Sequence, residues 1–142
     1  MQYLLNVEKL SVSFETPKGV VDAVREISFT LGKERLGIVG ESGSGKSQTG
    51  RAILGLTSKN GSVSANHILF DGADLSRMAE RDMRKIRGAR ISMIMQDPRY
   101  SLNPVMRVGE QIAEAFRVHT RASRRQAKDR TIEMLNRVKI RE

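Results

Sequence analysis

Residues 40–47 read Gly40-Glu41-Ser42-Gly43-Ser44-Gly45-Lys46-Ser47. This octapeptide fits the pattern G-x-x-x-x-G-K-S/T of the phosphate-binding loop known as the P-loop. Before it, residues 36–39 form a short apolar run that predicts a buried strand, and residues 48–56 after it are predicted to form a helix. A strand, a loop and a helix in this order are the context that a phosphate-binding loop requires.

The residue types of the loop suit a triphosphate. The backbone N–H groups of residues 43–47 are expected to point into one concavity at a helix N-terminus, where the helix dipole also favours negative charge. Lys46 can reach the β and γ phosphates, and the Ser47 hydroxyl can hold Mg²⁺. The motif alone does not separate an ATPase from a kinase or a GTPase. The candidate nucleotide-binding residues here are Gly40, Glu41, Ser42, Gly43, Ser44, Gly45, Lys46, Ser47 and Gln48.

The composition is that of an ordinary globular protein. Of the 142 residues, 39% are hydrophobic and 29% are charged, and the chain is long enough to bury a core. No apolar run approaches the roughly 20 residues of a membrane span, and no secretory signal is recognisable. The absence of cysteine excludes disulfides and thiolate metal sites. We therefore expect a protein that is not exported.

The formal net charge of +9 is concentrated late in the sequence. Nine of the 25 Lys and Arg residues lie between residues 117 and 141. Such a surplus can serve a polyanionic partner or a membrane surface. No aromatic side chain interleaves with this run, whereas proteins that bind single-stranded nucleic acid use aromatic stacking. A solvated helical face, or a surface complementary to an acidic segment, is the better interpretation, and we expect no nucleic-acid partner.

The first part of the chain is predicted to be β-structure. Its apolar residues alternate with polar ones in short runs, as in strands with one buried face. These runs are residues 4–7, 10–14, 20–24 and 27–31, with a later one at residues 68–70. Residues 1–35 are therefore expected to be mainly antiparallel β-structure.

The remainder of the chain predicts one more strand and then helices. Residues 91–95 are the second candidate for a buried strand, which should end before Pro98 because proline cannot continue a central strand. Apolar side chains then recur at helical spacing from Val108 to Phe116. Ser123 opens a last helix, since Ser123 and Gln126 have the spacing of a capping box. The sequence thus predicts an α/β fold.

With these motifs placed, the chain resembles the N-terminal half of the ATP-binding subunit of an ABC transporter, of the oligopeptide/dipeptide importer group. The resemblance rests on residues 36–47, on Phe70-Asp71-Gly72, and on a block after the second strand candidate. That block comprises Gln96-Asp97-Pro98, Ser101-Leu102-Asn103-Pro104, Val108-Gly109 and Gln111-Ile112. The resemblance runs from about residue 5 to about residue 138.

The resemblance implies a P-loop NTPase of ABC type with three parts. Residues 1–35 would form an antiparallel β subdomain. Residues 36–97 would form the P-loop core, with a partial parallel core sheet, as far as the family's Q-loop. Residues 98–142 would be the start of a helical subdomain.

The resemblance also implies functional roles. Phe14 lies where the family places an aromatic side chain that stacks on adenine, although a core phenylalanine on an alternating strand also explains its position. Gln96 matches the Q-loop glutamine, which contacts Mg²⁺ and the attacking water; a plain surface loop is the alternative. Lys46 and Gln96 are therefore the catalytic candidates, Ser47 and Gln96 the candidate magnesium ligands, and ATP and Mg²⁺ the cofactors. Residues 98–107 would face the membrane partner.

Four other residues are weaker candidates. Asp71 and Asp97 each follow an apolar run, as a Walker B aspartate does, but both lie at sequences that favour a turn. His67 and His119 are isolated, without the spacing of metal ligands, and neither matches the switch histidine of the family. We therefore expect ordinary structural roles for all four.

Two motifs of the family do not occur in the sequence. They are the Walker B aspartate with its adjoining glutamate, and the signature loop Leu-Ser-Gly-Gly-Gln. The sequence therefore looks like a truncated reading frame or a fragment. Because these groups position water and stabilise charge during phosphoryl transfer, we expect weak Mg-nucleotide binding at most, and negligible hydrolysis, from this chain alone.

The complete relative would couple ATP binding and hydrolysis to peptide import. It would act as a dimer, with a second ATP-binding subunit, on integral-membrane permeases at the cytoplasmic face of the plasma membrane. The sequence leaves the cargo open among dipeptides, longer peptides and nickel. The alternative is a catalytically inert nucleotide-binding or permease-docking fragment. A P-loop kinase is disfavoured, because no acceptor-binding lid or base can be identified.

Overall fold

The computed structural model describes residues 3–97 and 101–140. The chain divides into two compact units, residues 1–84 and residues 85–142. The first unit contains β1 (Leu5–Thr16), β2 (Gly19–Leu31), α1 (Lys46–Ile53), β3 (Gly61–Ser64), β4 (His67–Phe70), β5 (Ala73–Asp74) and a 3₁₀ turn (Leu75–Arg77). The boundary falls within α2 (Glu80–Ile86), and the second unit contains α3 (Val108–His119) and α4 (Arg124–Arg137).

β1 is the central strand of an antiparallel sheet in the first unit. The strand order is β2-β1-β4-β5, and β3 also pairs with β1. The first half of β1 pairs with β4, where Leu5 lies opposite Phe70, and its second half pairs with β3, where Phe14 lies opposite Gly61. The prediction of antiparallel β-structure at the start of the chain is confirmed. The four short runs form two long strands instead of four short ones.

β-Bulges in β1 and β2 interrupt the alternation of apolar residues, so each long strand corresponds to two short runs in the sequence. Lys9 in β1 and Glu26 in β2 have positive φ angles of 50° and 43°. Across each bulge a serine of the opposite strand accepts the backbone hydrogen bond at 2.9 Å, Ser28 Oγ from the N–H of Lys9 and Ser11 Oγ from that of Glu26. The strands continue through both points, although the alternation of apolar residues is interrupted there.

The core of the first unit lies on one face of this sheet. Its most deeply buried side chains are Val7, Leu10, Val12 and Ile68. The bulge at Lys9 shifts the alternation by one residue, so that Val7 and Leu10 are both buried. Helix α1 packs on β1 and β2 and buries Ala52. The sheet therefore supports the helix that follows the glycine-rich loop.

The strand predicted at residues 36–39 is wrong. These residues have no regular secondary structure, and the side chain of Val39 is 92% exposed. A strand forms only beside a partner that takes up its N–H and C=O groups. Nowhere in residues 3–97 and 101–140 does a strand pair with residues 36–39. The run has the composition of a buried strand without the neighbour that would bury it.

The strand predicted at residues 91–95 is also wrong. Ile91 makes a single parallel bridge with Arg87, and Ile94 is 91% exposed. Within the described ranges, this bridge is all that represents the expected partial parallel core sheet. The α/β class itself is confirmed, since the described residues combine an antiparallel sheet with four α-helices.

The second unit is built on α3 and α4, which pack on each other. The capping box predicted at Ser123 is present, because Ser123 Oγ accepts from the N–H of Gln126 at 3.3 Å and Gln126 Oε1 accepts from the N–H of Ser123 at 2.8 Å. Ala127 is fully buried, whereas α3 buries none of its residues completely. In the part of the chain that the structure describes, every helix is too short or too polar to cross a lipid bilayer.

Candidate phosphate-binding site

The glycine-rich loop turns directly into α1. Residues 36–41 are irregular, and the N–H of Ser44 donates to the carbonyl oxygen of Glu41 at 3.2 Å to close a turn. Gly43 and Gly45 have φ angles of 83° and 87°, which glycine adopts without steric cost. α1 begins at Lys46, with Gly45 as its N-cap residue and no side chain capping it. The predicted loop and helix are both present, and the helix runs over residues 46–53.

Gly45 is buried between the sheet and the helix. A Cβ atom there would lie 2.3 Å from the carbonyl oxygen of Ala23 and 2.9 Å from Val24 Cγ2 in β2. The buried Thr49 donates both its N–H, at 2.8 Å, and its hydroxyl, at 3.1 Å, to the Gly45 carbonyl oxygen. The position of the loop is therefore fixed from two sides, and only glycine fits there.

None of these three supporting residues was predicted from the sequence. Ala23 and Val24 are distant in sequence, and nothing in the pattern shows which strand lies under the loop. Thr49 could have been found, because a threonine hydroxyl in a helix can donate to the carbonyl four residues earlier, and that residue is Gly45.

The ammonium group of Lys46 lies over the loop. Its Nζ atom donates to the carbonyl oxygens of Gly40 at 2.7 Å and Glu41 at 2.6 Å, and to Ser44 Oγ at 3.2 Å. These three acceptors match the three donors of an ammonium group. The positive charge is thus held where the sequence predicts that a phosphate binds, and phosphate oxygens would compete with these acceptors for the ammonium.

The start of α1 supplies backbone donors as well. The N–H groups of the first residues of a helix have no acceptor within the helix. Over residues 3–97 and 101–140, no hydrogen-bond acceptor lies against the N–H groups of Lys46, Ser47 or Gln48. The first turn of α1 also contains no acidic side chain that would repel an anion. These donors and the nearby ammonium fit a phosphate group.

Phe14 is half-buried in the middle of the sheet. A Cβ atom at Gly61 would lie 2.7 Å from Phe14 Cε1, so the ring packs on the backbone of β3 where a side chain would obstruct it. This contact favours the core alternative that the sequence left open. Adenine stacking by Phe14 stays a prediction.

Gln96 belongs to the second unit, whereas the P-loop belongs to the first. Its side chain is exposed at a bend formed by Gln96 and Asp97. The two catalytic candidates, Lys46 and Gln96, therefore lie in different units, and the roles of Gln96 and Ser47 at Mg²⁺ stay predictions. Part of the predicted partner-facing segment, residues 98–100, lies outside the described residues. The described residues include no group of three or more His, Asp or Glu side chains that could hold a metal ion.

Three of the weaker candidates, Asp71, His67 and His119, lie in turns or beside other residues of the fold. Asp71 is exposed with a positive φ of 48°, in the turn between β4 and β5. His67 Nδ1 lies 3.4 Å from a carboxylate oxygen of Glu8 on the neighbouring strand β1. The ring of His119 lies against Gly88, where a Cβ atom would be 2.7 Å from Nε2.

The chain is similar to proteins of one known family. The sequence profile described as ABC transporter matches residues 24–142. The oligopeptide transport ATP-binding protein OppD of Escherichia coli is 47% identical over 138 residues, which are 96% of this chain and 41% of that protein. OppD of Bacillus subtilis is 48% identical over 139 residues, 96% of this chain and 39% of that protein. A putative peptide import ATP-binding protein of Brucella abortus is 45% identical over 138 residues, 96% of this chain and 42% of that protein.

This chain spans about two fifths of the length of these relatives. The matched region contains the whole glycine-rich loop and all of α1. The resemblance to the oligopeptide importer group is confirmed by identities near one half over almost the whole chain. The chain belongs to the ABC transporter family.

Proposed function

We propose that the glycine-rich loop and the start of α1 bind the triphosphate of Mg-ATP, and that the chain acts as part of the ATP-binding subunit of a peptide importer. One observation carries this proposal: the Lys46 ammonium lies over the loop, beside backbone donors that have no acceptor in the described part of the chain. The relatives' names, oligopeptide transport and peptide import ATP-binding proteins, support peptide as the cargo.

Each site residue has a proposed task. Lys46 neutralises phosphate charge, and the N–H groups of Ser47 and Gln48 orient phosphate oxygens at the helix N-terminus. The Ser47 hydroxyl and the Gln96 side chain would hold Mg²⁺, and the Phe14 ring would stack on adenine. When bound, Mg²⁺ neutralises the charge that develops on the β and γ phosphate oxygens.

The family supports a proposal for the partners of the chain. We place residues 98–107 against an integral-membrane permease subunit, and a second ATP-binding subunit opposite the nucleotide. The subunit would work at the cytoplasmic face of the membrane. Within it, residues 1–35, 36–97 and 98–142 would form the β subdomain, the P-loop core and the start of the helical subdomain.

Hydrolysis is proposed for the complete subunit. The 142 residues contain no Walker B motif and no signature loop, and in phosphoryl transfer the protein acts almost entirely through positioning and electrostatic stabilisation. We therefore expect this chain by itself to bind nucleotide weakly and to release negligible phosphate.

Isothermal titration of the purified chain with Mg-ATP, combined with an assay of phosphate release, tests the proposal. We expect the Lys46→Ala variant to bind at least ~10-fold more weakly than the wild type, because charge-assisted hydrogen bonds are lost. Lys59→Ala is the matched control, since Lys59 is an exposed lysine in the turn before β3. Binding that is equal in all three proteins would contradict the proposal. Robust phosphate release by the wild type would contradict the expectation that this chain by itself does not hydrolyse ATP.

A further inference from the structure

A glutamine in the second unit holds an exposed turn in place. Gln111 Oε1 accepts from the N–H of Asn103 at 2.9 Å. Its Nε2 atom donates to the carbonyl oxygen of the same Asn103 at 2.9 Å and to that of Met106 at 3.0 Å. One side chain in the first turn of α3 therefore satisfies three backbone groups of the loop that leads into the helix.

The turn of residues 103–106 is also closed internally. The N–H of Met106 donates to the Asn103 carbonyl oxygen at 3.2 Å, and the N–H of Val105 donates to Asn103 Oδ1 at 3.1 Å. Pro104 is the second residue of this turn, where its fixed φ angle is favourable. Asn103 takes part both in the bonds to Gln111 and in the bonds within the turn. A substitution at Gln111 is therefore expected to loosen the whole turn.

The 103–106 turn presents apolar side chains to solvent. Val105 is 88% exposed, and Leu102 and Val108 beside it are about half exposed. Exposed apolar side chains on a turn without fixed geometry would lose conformational entropy on contact with a partner. The bonds from Gln111 remove much of this loss before any partner binds.

We propose that Gln111 is a positioning residue that fixes the 103–106 turn so that Val105 and its neighbours contact the membrane-spanning partner in one conformation. This inference rests on the proposed function, in which residues 98–107 face that partner. Gln111 itself acts through the turn, since its amide group is engaged by the backbone of Asn103 and Met106.

Two variants distinguish the hydrogen bond that the Gln111 side chain accepts from the two that it donates. Gln111→Ala removes all three. Gln111→Glu keeps the shape and the acceptor for the Asn103 N–H, but replaces the donor by a carboxylate oxygen that the Asn103 and Met106 carbonyl oxygens repel. Glu114→Ala is the matched control, because Glu114 is an exposed residue one turn along α3 whose side chain makes no hydrogen bond in the described part of the chain.

Hydrogen exchange at single amides, read by NMR on the full chain, tests the turn. The N–H groups of Val105 and Met106 do not bond to Gln111, so their exchange reports the order of the turn and not the loss of a direct bond. We expect exchange at both to become at least ~3-fold faster in Gln111→Ala and Gln111→Glu, and unchanged in Glu114→Ala. Exchange at the amide of the buried Ala127 should be the same in all four proteins. Unchanged exchange at Val105 and Met106 would overturn the inference.

A binding assay tests whether the ordered turn strengthens contact with the membrane-spanning partner. The chain is added to nanodiscs of zwitterionic lipid that carry the membrane-spanning subunits of the Escherichia coli oligopeptide transporter. We expect both Gln111 variants to bind about 3- to 10-fold more weakly than the wild type, and Glu114→Ala to bind equally. Wild-type affinity in a Gln111 variant whose turn has loosened would overturn the inference and leave the proposed function intact. If the wild type does not bind above empty nanodiscs, the proposed partner is wrong, and the inference is wrong with it.

Discussion

The ammonium nitrogen of Lys46 lies 2.7 Å from the carbonyl oxygen of Gly40, the first residue of the same glycine-rich loop. The ammonium group near the end of the loop is therefore hydrogen-bonded to the backbone at the start of the loop. These bonds are exposed, and a typical one contributes only about 1 kcal/mol net. An incoming phosphate can replace them at small cost, because it offers the ammonium stronger, charged acceptors.

Gly45→Ala should be more destabilising than Gly43→Ala. Both residues have positive φ, which costs alanine about 1–2 kcal/mol. At Gly45 the added Cβ would also meet the Ala23 carbonyl oxygen, whereas at Gly43 it would meet nothing within 4 Å. We expect urea unfolding to show a loss of about 3 kcal/mol or more for Gly45→Ala and about 1 kcal/mol for Gly43→Ala. Equal losses would show that the contact of Gly45 with β2 is not formed.

Phe14→Ala should separate adenine binding from phosphate binding. If the Phe14 ring stacks on adenine, the variant should lose about 5- to 10-fold in affinity for Mg-ATP and keep its affinity for magnesium tripolyphosphate. Phe29→Ala is the control, because Phe29 is another half-buried phenylalanine of the same sheet. A parallel loss for both ligands in Phe14→Ala would assign the ring to packing on Gly61 alone.

Asp74 should make the first unit sensitive to acid. Partial burial raises the pKa of Asp74, but hydrogen bonds from the Ser76 hydroxyl and from the N–H groups of Ile68 and Ser76 outweigh burial, and the pKa lies below its ordinary value of 3.8. A carboxyl group whose pKa is lowered by folding stabilises the folded state above the unfolded value. This contribution is lost as the pH falls through the lower folded pKa.

Urea unfolding between pH 7 and the lowest pH at which the protein stays folded measures this effect. We expect the free energy of unfolding of the wild type to decline below about pH 4, and that of Asp74→Asn to decline less. Asp22→Asn is the control, since Asp22 is an exposed aspartate in β2. Identical pH profiles for the wild type and Asp74→Asn would contradict the role of this carboxylate.

The capping box at the start of α4 should be worth a measurable part of the stability of that helix. Ser123→Ala removes the acceptor for the N–H of Gln126, and a lost N-cap costs about 1 kcal/mol. We expect faster hydrogen exchange in the first turn of α4 in this variant. Ser123→Asp should behave like the wild type, because aspartate caps as well as serine does. Equal exchange in all three proteins would show that the box does not stabilise the helix.

Local features of the fold could be predicted from the sequence. The turn into α1 depends on glycines and a lysine within eight residues, and the capping box on a pair three residues apart. Such short-range patterns specify their own geometry, so the P-loop and α4 appear where they were predicted. The roles of Phe14 and Gln96 at a nucleotide rest on family resemblance and stay predictions.

Features that depend on distant partners could not be predicted. The apolar runs at residues 36–39 and 91–95 have strand composition, but a strand also needs a neighbour, and composition does not show whether one is present. The same limit applies to the two bulges, where serines of the opposite strand replace regular bonds. The hydrogen bonds of the Gln111 side chain could not be predicted, because they are made to backbone groups. Every residue has these groups, so the sequence does not show which of them a side chain contacts.

The most direct test of phosphate binding at the loop is an NMR titration of the chain with Mg-ATP that follows each backbone amide. We expect saturable shifts that are largest at residues 43–48, that need at least ~10-fold more nucleotide in Lys46→Ala, and that leave the amides of α4 unmoved. Saturable binding that leaves residues 43–48 unshifted, or that shifts mainly the amides of residues 101–140, would contradict the placement of the triphosphate at this loop.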